Sequence, residues 1–406
     1  MTVTPPTRRR WPQWGEVKRF VGPSLRYRKR DPLSRVQTVS DFERLARRRT
    51  PRPVFEYVSG AAESEWSLRR ATEAFESVVF HPHVLRDVST VDPSTMILGR
   101  RVPVPLVLGP TGFTRMMRTD GESAVYRAAS TKGIPYALST LGTTSIEALA
   151  ASADGDRWFQ LYVSRDRGRS NEMIARARDH GYRCLVLTVD VPVTGARLRD
   201  TYNGLTIPPT LTLRTLLNMV GHPRWLFDAL TSEPLAFESL GVEEGLAAHF
   251  GRVFDPAVTL ADLEWLRSVW SGPLVVKGVQ RVDDAKDIAS VGVDGIAISN
   301  HGGRQLDRAV TPLTLLPEVA DAVADQVEIF LDGGARSGAD IAAAVALGAQ
   351  AVFIGRPYLF ALMAGGQRGV ERSLEIFDLD YRRTLQLLGV SGTAELDPSL
   401  VSIATT

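Results

Sequence analysis

The strongest constraint on the fold of this chain is an alternation, repeated eight times, between short apolar runs and helical patterns. The apolar runs cover residues 104–108, 136–138, 158–163, 184–189, 274–276, 295–298, 328–331 and 351–354. Helical periodicity separates most of them, over residues 122–132, 145–151, 171–180, 282–291, 313–324 and 338–347. Strands that alternate with helices predict a parallel sheet, and eight of them predict an α/β fold of the (β/α)8 TIM-barrel type. A doubly wound open sheet is the alternative, but no glycine-rich dinucleotide fingerprint follows any of the runs.

We expect additional segments before the first strand of the barrel and after its fourth strand. Helical stretches precede it at residues 41–49, 53–59 and 61–76, and Ser40 with Glu43 fits a capping box for the first of them. A long connection, residues 197–273, follows the fourth run, either as a lid or as a structural insertion. We therefore expect one barrel domain over residues 37–406, with an N-terminal helical segment, preceded by a separate arm over residues 1–36.

The arm over residues 1–36 is basic and rich in proline. Its first 35 residues contain ten Lys or Arg and two acidic residues, a charge of about +8, whereas the whole chain carries +2. Aromatic residues lie among these charges, which is compatible with contact to an anionic membrane surface. Packing against the barrel or against a partner subunit is the alternative, and we do not expect nucleic acid as a partner.

The single cysteine, Cys184, lies inside an apolar run, so the chain has neither an intrachain disulfide nor a cysteine-based metal site. This usage is typical of the reducing cytoplasm. No apolar stretch approaches the ~20 residues that span a bilayer, and the basic N-terminus lacks the apolar region of a secretory signal. We expect a cytoplasmic protein without a metal ion, placed peripherally at the inner face of the membrane if the arm contacts lipid.

The segment SNHGGRQLD, residues 299–307, follows the sixth run and points most directly to chemistry. His301 can accept a proton near neutral pH, and Arg304 can hold a carboxylate with two parallel hydrogen bonds. The glycine pair between them permits turns that other residues resist. Such a segment predicts a site that holds an acid and removes hydrogen beside its carboxylate. A polar loop with one solvated histidine is the alternative.

Because a TIM barrel collects its chemistry at the carboxyl ends of its strands, residues after the other runs are candidates as well. Lys277, at the end of LVVK, is placed to form a Schiff base, to stabilise a developing anion or to form a structural ion pair. The loops after the seventh and eighth runs combine glycines with Arg336 and Arg356, a combination suited to phosphate.

These segments together resemble the FMN-dependent 2-hydroxy acid dehydrogenase/oxidase family, above all its actinobacterial L-lactate dehydrogenase branch. The similarity extends from about residue 37 to the end of the chain. The matching segments are PVFEYVSGAAE, FHPHVLRDVS, GPTGF, LSTLGTTSIE, WFQLYV, LTVDVPVTGARLRD, VVKGV, SNHGGRQLD, LDGGARSG and FIGRPYL.

The resemblance implies oxidation of an L-2-hydroxy acid, most simply L-lactate to pyruvate, with FMN as the cofactor. His301 corresponds to the catalytic base, Asp190 to the carboxylate that pairs with it, and Lys277 to the lysine beside flavin N1. The implied substrate-binding residues are Tyr57, Tyr162, Arg197 and Arg304. The implied FMN-binding residues are Pro110, Thr111, Gly112, Ser139, Gln160, Thr188, Lys277, Ser299, Asp332, Gly333, Gly334, Arg336, Gly355 and Arg356.

Two positions depart from many relatives. Leu141 stands where several carry tryptophan, which leaves the size of the substrate open. Gly112 stands where several oxidases carry alanine, which favours a dehydrogenase that passes electrons to a quinone or another carrier. An oxygen-using 2-hydroxy acid oxidase or a lactate monooxygenase is the alternative. The resemblance also implies a homotetramer.

Overall fold

In the computed structural model, the eight predicted strands close into one parallel barrel. The structure describes residues 31–205, 218–240 and 254–404, together with Gln13. The barrel strands are β1 Leu106–Leu108, β2 Tyr136–Ser139, β3 Arg157–Leu161, β4 Cys184–Thr188, β5 Leu274–Val279, β6 Gly295–Ser299, β7 Glu328–Asp332 and β8 Ala351–Ile354. Each strand pairs in parallel with the next, and β8 pairs with β1. The predicted (β/α)8 fold is confirmed.

Helices lie between successive strands, as the sequence pattern predicts. The described helices that follow β1 are Thr114–Met117, Gly121–Lys132, Ile146–Ser152, Arg167–Asp179, Leu198–Tyr202, Pro223–Thr231, Leu260–Val269, Val282–Ser290, Pro312–Val323, Gly338–Ala346 and Arg356–Leu388. The last of these is interrupted at Gly366, where φ is 61°. Three helices precede the barrel: Val39–Arg49, Arg52–Ser59 and Trp66–Glu76.

The barrel belongs to a structural unit that spans Gln37–Thr406. Most of the predicted arm, residues 1–36, lies outside the described residues, which include Gln13 and residues 31–36 with the short 3-10 turn Pro32–Arg35. Parts of the long connection after β4, residues 206–217 and 241–253, also lie outside them.

Side chains fill the interior of the barrel. The rings of Trp158, Phe330 and Phe353 meet edge to face, with centroids 5.6 to 6.2 Å apart. Cys184 is buried in the same cluster, as predicted. A hairpin of two short strands, Thr95–Ile97 and Arg100–Val102, contributes Ile97 and Val102 to this cluster and so covers one end of the barrel. A second antiparallel pair joins Val78–Phe80 to Val401–Ile403. Because the interior is packed, ligands can be held only at an open end.

The predicted capping box of the first helix is wrong in its residues. Thr38, not Ser40, caps the helix, because Thr38 has extended backbone and its Oγ1 accepts a hydrogen bond from the N–H of Asp41 at 3.2 Å. The Asp41 carboxylate accepts the N–H of Thr38 at 3.0 Å in return. The helix therefore begins two residues earlier than predicted, and Glu43 is left to pair with Arg336 at 3.4 Å.

The third helix, by contrast, begins later than predicted, at Trp66 instead of residue 61. Glu63 and Glu65 have positive φ, which ends any helix before Trp66. The N–H groups of Ser64 and Ser67 donate to the buried carboxylate of Asp307, at 3.1 and 2.9 Å. Asp307 thus anchors the amino-terminal end of this helix from the far end of SNHGGRQLD. Burial opposes its charge, but the hydrogen bonds from Ser64, Ser67 and Trp66 outweigh burial and lower the pKa of Asp307 to about 2.

Replacing Asp307 by Asn should lower the free energy of unfolding at pH 7 by about 2 kcal/mol, because the N–H donors lose a charged acceptor. The contribution of Asp307 is complete above its ordinary carboxyl pKa, about 3.9, and is lost as the pH falls towards 2. The stability difference between wild type and variant, measured by urea unfolding, should therefore shrink between pH 5 and pH 2.5. Asp283→Asn, at an exposed carboxylate, is the control. Equal stability of wild type and D307N at pH 7 would contradict the anchoring role.

Candidate active site

One cavity at the carboxyl ends of the strands brings together most of the residues singled out in the sequence. Of the twenty residues predicted to act in catalysis or binding, sixteen line it: Tyr57, Pro110, Thr111, Gly112, Ser139, Tyr162, Arg197, Lys277, His301, Arg304, Asp332, Gly333, Gly334, Arg336, Gly355 and Arg356. The other four, Gln160, Thr188, Asp190 and Ser299, lie directly behind the lining, where they contact or pair with residues that do line it.

His301 lies at the open end of β6 in a turn of left-handed backbone. His301, Gly302 and Gly303 have φ of 58°, 63° and 74°. The turn brings Nδ1 of His301 to 2.9 Å from Oδ1 of Asp190, whose side chain is almost fully buried. A buried carboxylate at this nitrogen fixes the ring orientation and stabilises the imidazolium that forms when Nε2 takes a proton.

Gln305 holds the segment that carries Asp190, a role that the sequence did not reveal. Its side-chain amide donates to the carbonyls of Asp190 and Val193, at 3.2 and 2.8 Å, and accepts the N–H of Gly195 at 3.1 Å. The turn after β6 and the loop after β4 are therefore fixed to each other, so that histidine and carboxylate are positioned as a unit.

Lys277, at the end of β5, forms a buried ion pair with Asp332, at the end of β7. Nζ of Lys277 lies 2.6 Å from the Asp332 carboxylate and 3.0 Å from Oγ of Ser299. Ser299 Oγ donates to Asp332 at 2.7 Å and accepts the N–H of His301 at 2.9 Å. Burial disfavours the charge on Lys277, but Asp332 and Asp190 outweigh burial and raise the pKa of Lys277. Lys277 is therefore a fixed cation and not a nucleophilic amine.

Arg304 and Arg356 are held by backbone carbonyls at the carboxyl-terminal end of the helix Arg52–Ser59. Arg304 donates to the carbonyls of Tyr57 and Gly60 at 2.6 and 3.2 Å. Arg356 donates to those of Val58 and Gly60 at 2.9 and 2.8 Å. Neither guanidinium forms an ion pair with any carboxylate among the described residues.

The electrostatic consequence is a strongly cationic cavity. Burial and the neighbouring Arg197 lower the pKa of Arg304. Burial, together with Arg304 and Arg336, lowers the pKa of Arg356 to about 9. Buried cations without counter-ions are unfavourable, so the cavity is built to receive anions. Arg304 and Arg356 are each available to bind one anion.

Arg197 differs from these two because it has an internal counter-ion. Its Nε lies 3.0 Å from the carboxylate of Asp200, a buried residue that the sequence argument did not single out. Arg197 and Arg304 both lie over the ring of Tyr57, at 5.6 and 4.8 Å from its centroid. These cation–π contacts hold the two guanidinium groups beside each other at the same end of the cavity.

Two orphaned polar atoms mark the position of a ligand with a polar edge. Oε1 of Gln160 accepts hydrogen bonds from Ser139 Oγ and Thr140 N–H, at 3.1 and 3.2 Å, but its buried Nε2 has no partner among the described residues. Oγ1 of Thr188 is also buried, and no group in the described ranges bonds to it. Buried polar atoms are almost always hydrogen-bonded, so a ligand that supplies acceptors and donors here is implied.

Another part of the cavity lining suits a phosphate. Gly333 and Gly334 have φ of 114° and 93°, which points their backbone amides in directions that other residues cannot offer at low cost. Arg336 and Arg356 also line the cavity. The side chain of Thr111, predicted to contact the flavin through its backbone, is engaged by Tyr358 and Thr114 at 2.7 and 3.1 Å, which leaves its backbone available to a ligand. A site for the polar edge of a ring system and a site for a phosphate, in one cavity, together fit FMN.

The rest of the cavity wall is apolar. Phe113, Leu141, Val191 and Phe254 form it, in one buried cluster with Tyr162. Gly112 packs close to Leu141, and a Cβ added at Gly112 would lie only 3.0 Å from the Cβ of Leu141. Of these apolar residues, only Leu141 is a candidate from the sequence. Phe254 lies in the long connection after β4, where no periodicity identifies a contact residue.

Comparison with known proteins agrees with this arrangement. The model of the FMN-dependent dehydrogenase family matches residues 46–403. A proposed L-lactate dehydrogenase of Mycobacterium tuberculosis is 50% identical over 96% of this chain and 92% of its own length. The L-lactate dehydrogenase of Caulobacter vibrioides is 40% identical over 90% of this chain and 98% of its own.

Solved structures give the same result. The monotopic membrane protein (S)-mandelate dehydrogenase is 36% identical with a TM-score of 0.88, and mandelate oxidase is 36% identical with a TM-score of 0.80. Each comparison covers 91% of this chain and the whole of the other. The cofactor is therefore FMN, and the chain belongs to the FMN-dependent dehydrogenase family.

Proposed function

We propose that this protein oxidises a small L-2-hydroxy acid, most simply L-lactate, to the 2-oxo acid and passes the electrons to a quinone or another carrier. The observation that carries this proposal is the His301–Asp190 pair in one cavity with Arg304, a cation for which the described part of the chain offers no carboxylate partner. A base next to a carboxylate receptor is what abstraction of hydrogen beside a carboxylate requires.

In the proposed reaction, Arg304 and Arg197 bind the substrate carboxylate and so orient C2 and its hydroxyl group. Tyr162 donates a hydrogen bond to the substrate; burial, with a contribution from Asp190, raises the pKa of Tyr162, so its hydroxyl keeps its proton. Tyr57, over which both arginines lie, provides the second hydroxyl. Whichever substrate hydrogen leaves as a proton, His301 Nε2 receives it, and Asp190 stabilises the resulting charge.

The bound FMN supplies the two-electron acceptor that no side chain can provide. Gln160 and Thr188 would satisfy the polar edge of its ring, and Ser139 supports Gln160. Lys277 would place its fixed positive charge where negative charge collects on reduction. Arg356, Arg336 and the amides after β7 would hold the phosphate.

Anaerobic addition of L-lactate to the purified protein should bleach its flavin absorbance within the dead time of manual mixing. Slow return of the absorbance on admitting oxygen, and fast return on adding a soluble quinone, would support a dehydrogenase. Fast return with oxygen would instead favour the oxidase or monooxygenase alternative. A flavin that no L-2-hydroxy acid bleaches would contradict the proposed reaction.

His301→Gln should keep FMN bound but slow the reduction of the flavin by L-lactate by about 10³-fold, the usual contribution of a general base. Stopped-flow absorbance measures this rate. His81→Gln is the matched control, because His81 is an exposed histidine that contacts Ser402 at 2.8 Å, outside the cavity lining. A reduction rate in H301Q within tenfold of wild type would remove His301 from the role of base.

We also propose peripheral contact with the inner face of the membrane. No helix within the described ranges is long and apolar enough to cross a bilayer. The helix Pro223–Thr231 exposes Phe227 and Leu230, which are 67% and 76% accessible, and the basic arm adds positive charge. A related (S)-mandelate dehydrogenase is described as a monotopic membrane protein. A chain that combines exposed apolar side chains with a basic segment is suited to an anionic lipid surface.

Deleting residues 1–35 should move the protein from the pelleted membrane fraction to the supernatant while leaving flavin reduction by L-lactate unchanged. The double variant Phe227→Ser, Leu230→Ser tests the exposed helix in the same assay. An unchanged distribution of both proteins between pellet and supernatant would contradict membrane contact.

We propose further that the protein forms a homotetramer. The apolar side chains of Val84 and Leu85 are 77% and 103% accessible, so they are available for contact with a second copy of the chain.

A further inference from the structure

The cavity has a polar end and an apolar end, and the apolar end has no role in the chemistry proposed above. His301 and Arg304 mark the polar end. Leu141, Val191 and Phe254 belong to the apolar end, and all three are buried. A substrate held by its carboxylate and its hydroxyl group has only one group left to place there, the substituent on C2.

Phe254 is the member of this wall that the barrel itself does not position. It lies in the long connection after β4, and its ring meets that of Tyr162 edge to face, with centroids 5.0 Å apart. Tyr162 follows β3 directly. The distance between these two rings therefore depends on how the connection is fixed to the loop after β3.

Arg167 makes that attachment. Its Nη1 lies 2.8 Å from the carboxylate of Asp255, the residue next to Phe254. Its Nε and Nη2 lie 3.0 and 2.7 Å from the carboxylate of Asp262, and it also donates to the carbonyl of Ser164. One guanidinium thus binds two carboxylates of the connection and one carbonyl of the loop that carries Tyr162. The planar fork of arginine permits this, and a lysine would not reproduce it.

We infer that Arg167 is a positioning residue for substrate specificity: by holding Phe254 against Tyr162, it sets the size of the C2 substituent that the cavity accepts. The inference rests on the proposed function and adds the class of substrate. The favoured substituent is uncharged and apolar, because the described residues of this wall, Leu141, Val191 and Phe254, are apolar and would leave a second charged group desolvated without a partner. Removing Phe254, or releasing it, enlarges the space for this substituent.

The experiment compares L-lactate with L-2-hydroxy-4-methylpentanoate, whose substituent is larger by three carbons. The ratio of their kcat/KM values is measured for wild type, Phe254→Ala, Arg167→Ala and Arg167→Lys. The Kd values of the corresponding 2-oxo acids, from changes in flavin absorbance, give a second ratio that needs no turnover. Arg169→Ala is the matched control, since Arg169 lies on the same helix and its nearest carboxylate, Asp166, is 3.8 Å away and exposed.

F254A should raise both ratios in favour of the larger compound by about tenfold or more, the usual effect of a hydrophobic pocket on added methylene groups. R167A should shift both ratios in the same direction by several-fold. R167K should fall between R167A and wild type, because an ammonium group can keep one of the two carboxylates. R169A should leave both ratios unchanged.

Unchanged ratios in F254A would overturn the inference, as would a shift in F254A that R167A and R167K do not share. Loss of FMN or of thermal stability in R167A without a change in the ratios would show a purely structural role and would also overturn it. If R167A does not fold, R167K decides alone. If the proposed function is wrong, no L-2-hydroxy acid will reduce the flavin of the wild-type protein. The Kd ratios would still show whether Phe254 and Arg167 set the size of the group that the cavity accepts.

Discussion

Two guanidinium groups that line the cavity share one backbone acceptor, the carbonyl oxygen of Gly60, and the candidate anion sites depend on that arrangement. Arg304 and Arg356 reach it at 3.2 and 2.8 Å. A carboxylate in place of the carbonyl would neutralise both cations and compete with incoming anions. Carbonyls at a helix end carry only partial negative charge, so they orient the arginines and leave most of the positive charge for ligands. The helix Arg52–Ser59, although it lies outside the barrel, is therefore part of the site.

The segment SNHGGRQLD connects this helix to the barrel. Ser299 binds the Lys277–Asp332 pair, His301 binds Asp190, and Asp307 anchors the helix Trp66–Glu76. The glycines between them are required for space as well as for backbone conformation. A Cβ at Gly302 would lie 2.7 Å from Nη1 of Arg356, and one at Gly303 would lie 2.8 Å from the backbone nitrogen of Leu68. Larger residues at either position would push apart the elements that the segment joins.

The barrel could be predicted from sequence because its strands are buried on both faces and therefore read as continuous apolar runs. Their polar ends then converge by geometry alone, which is why residues as distant as Tyr57 and Arg356 line one cavity. Local signals were less decisive where two choices fit equally well. Thr38 with Asp41 and Ser40 with Glu43 both have capping-box spacing, and only the packed helix distinguishes them. The start of the helix at Trp66 depends on Asp307, a partner more than two hundred residues away.

Other features had no sequence signal because they arise from packing. Phe254 follows no periodic pattern, and its place in the cavity wall results from tertiary contacts of the long connection. Asp200 is separated from Arg197 by helical spacing, which usually means an exposed pair, yet the carboxylate is buried. The roles of such residues can be assigned only from the three-dimensional structure, which shows which surfaces are buried.

The charges of the cavity fall into two groups that serve different purposes. Lys277 and Arg197 have internal counter-ions, Asp332 and Asp200, and so keep their positions whether or not a ligand is bound. Arg304 and Arg356 have no counter-ion within the described ranges, and repulsion by Arg304 adds to burial in lowering the pKa of Arg356. Because an arginine stays protonated at neutral pH, both groups are cations, and each would be stabilised by an anion beside it. The ion-paired cations thus maintain the shape of the cavity, whereas the unpaired ones supply the positive charge that the proposed function assigns to the phosphate of the cofactor and the carboxylate of the substrate.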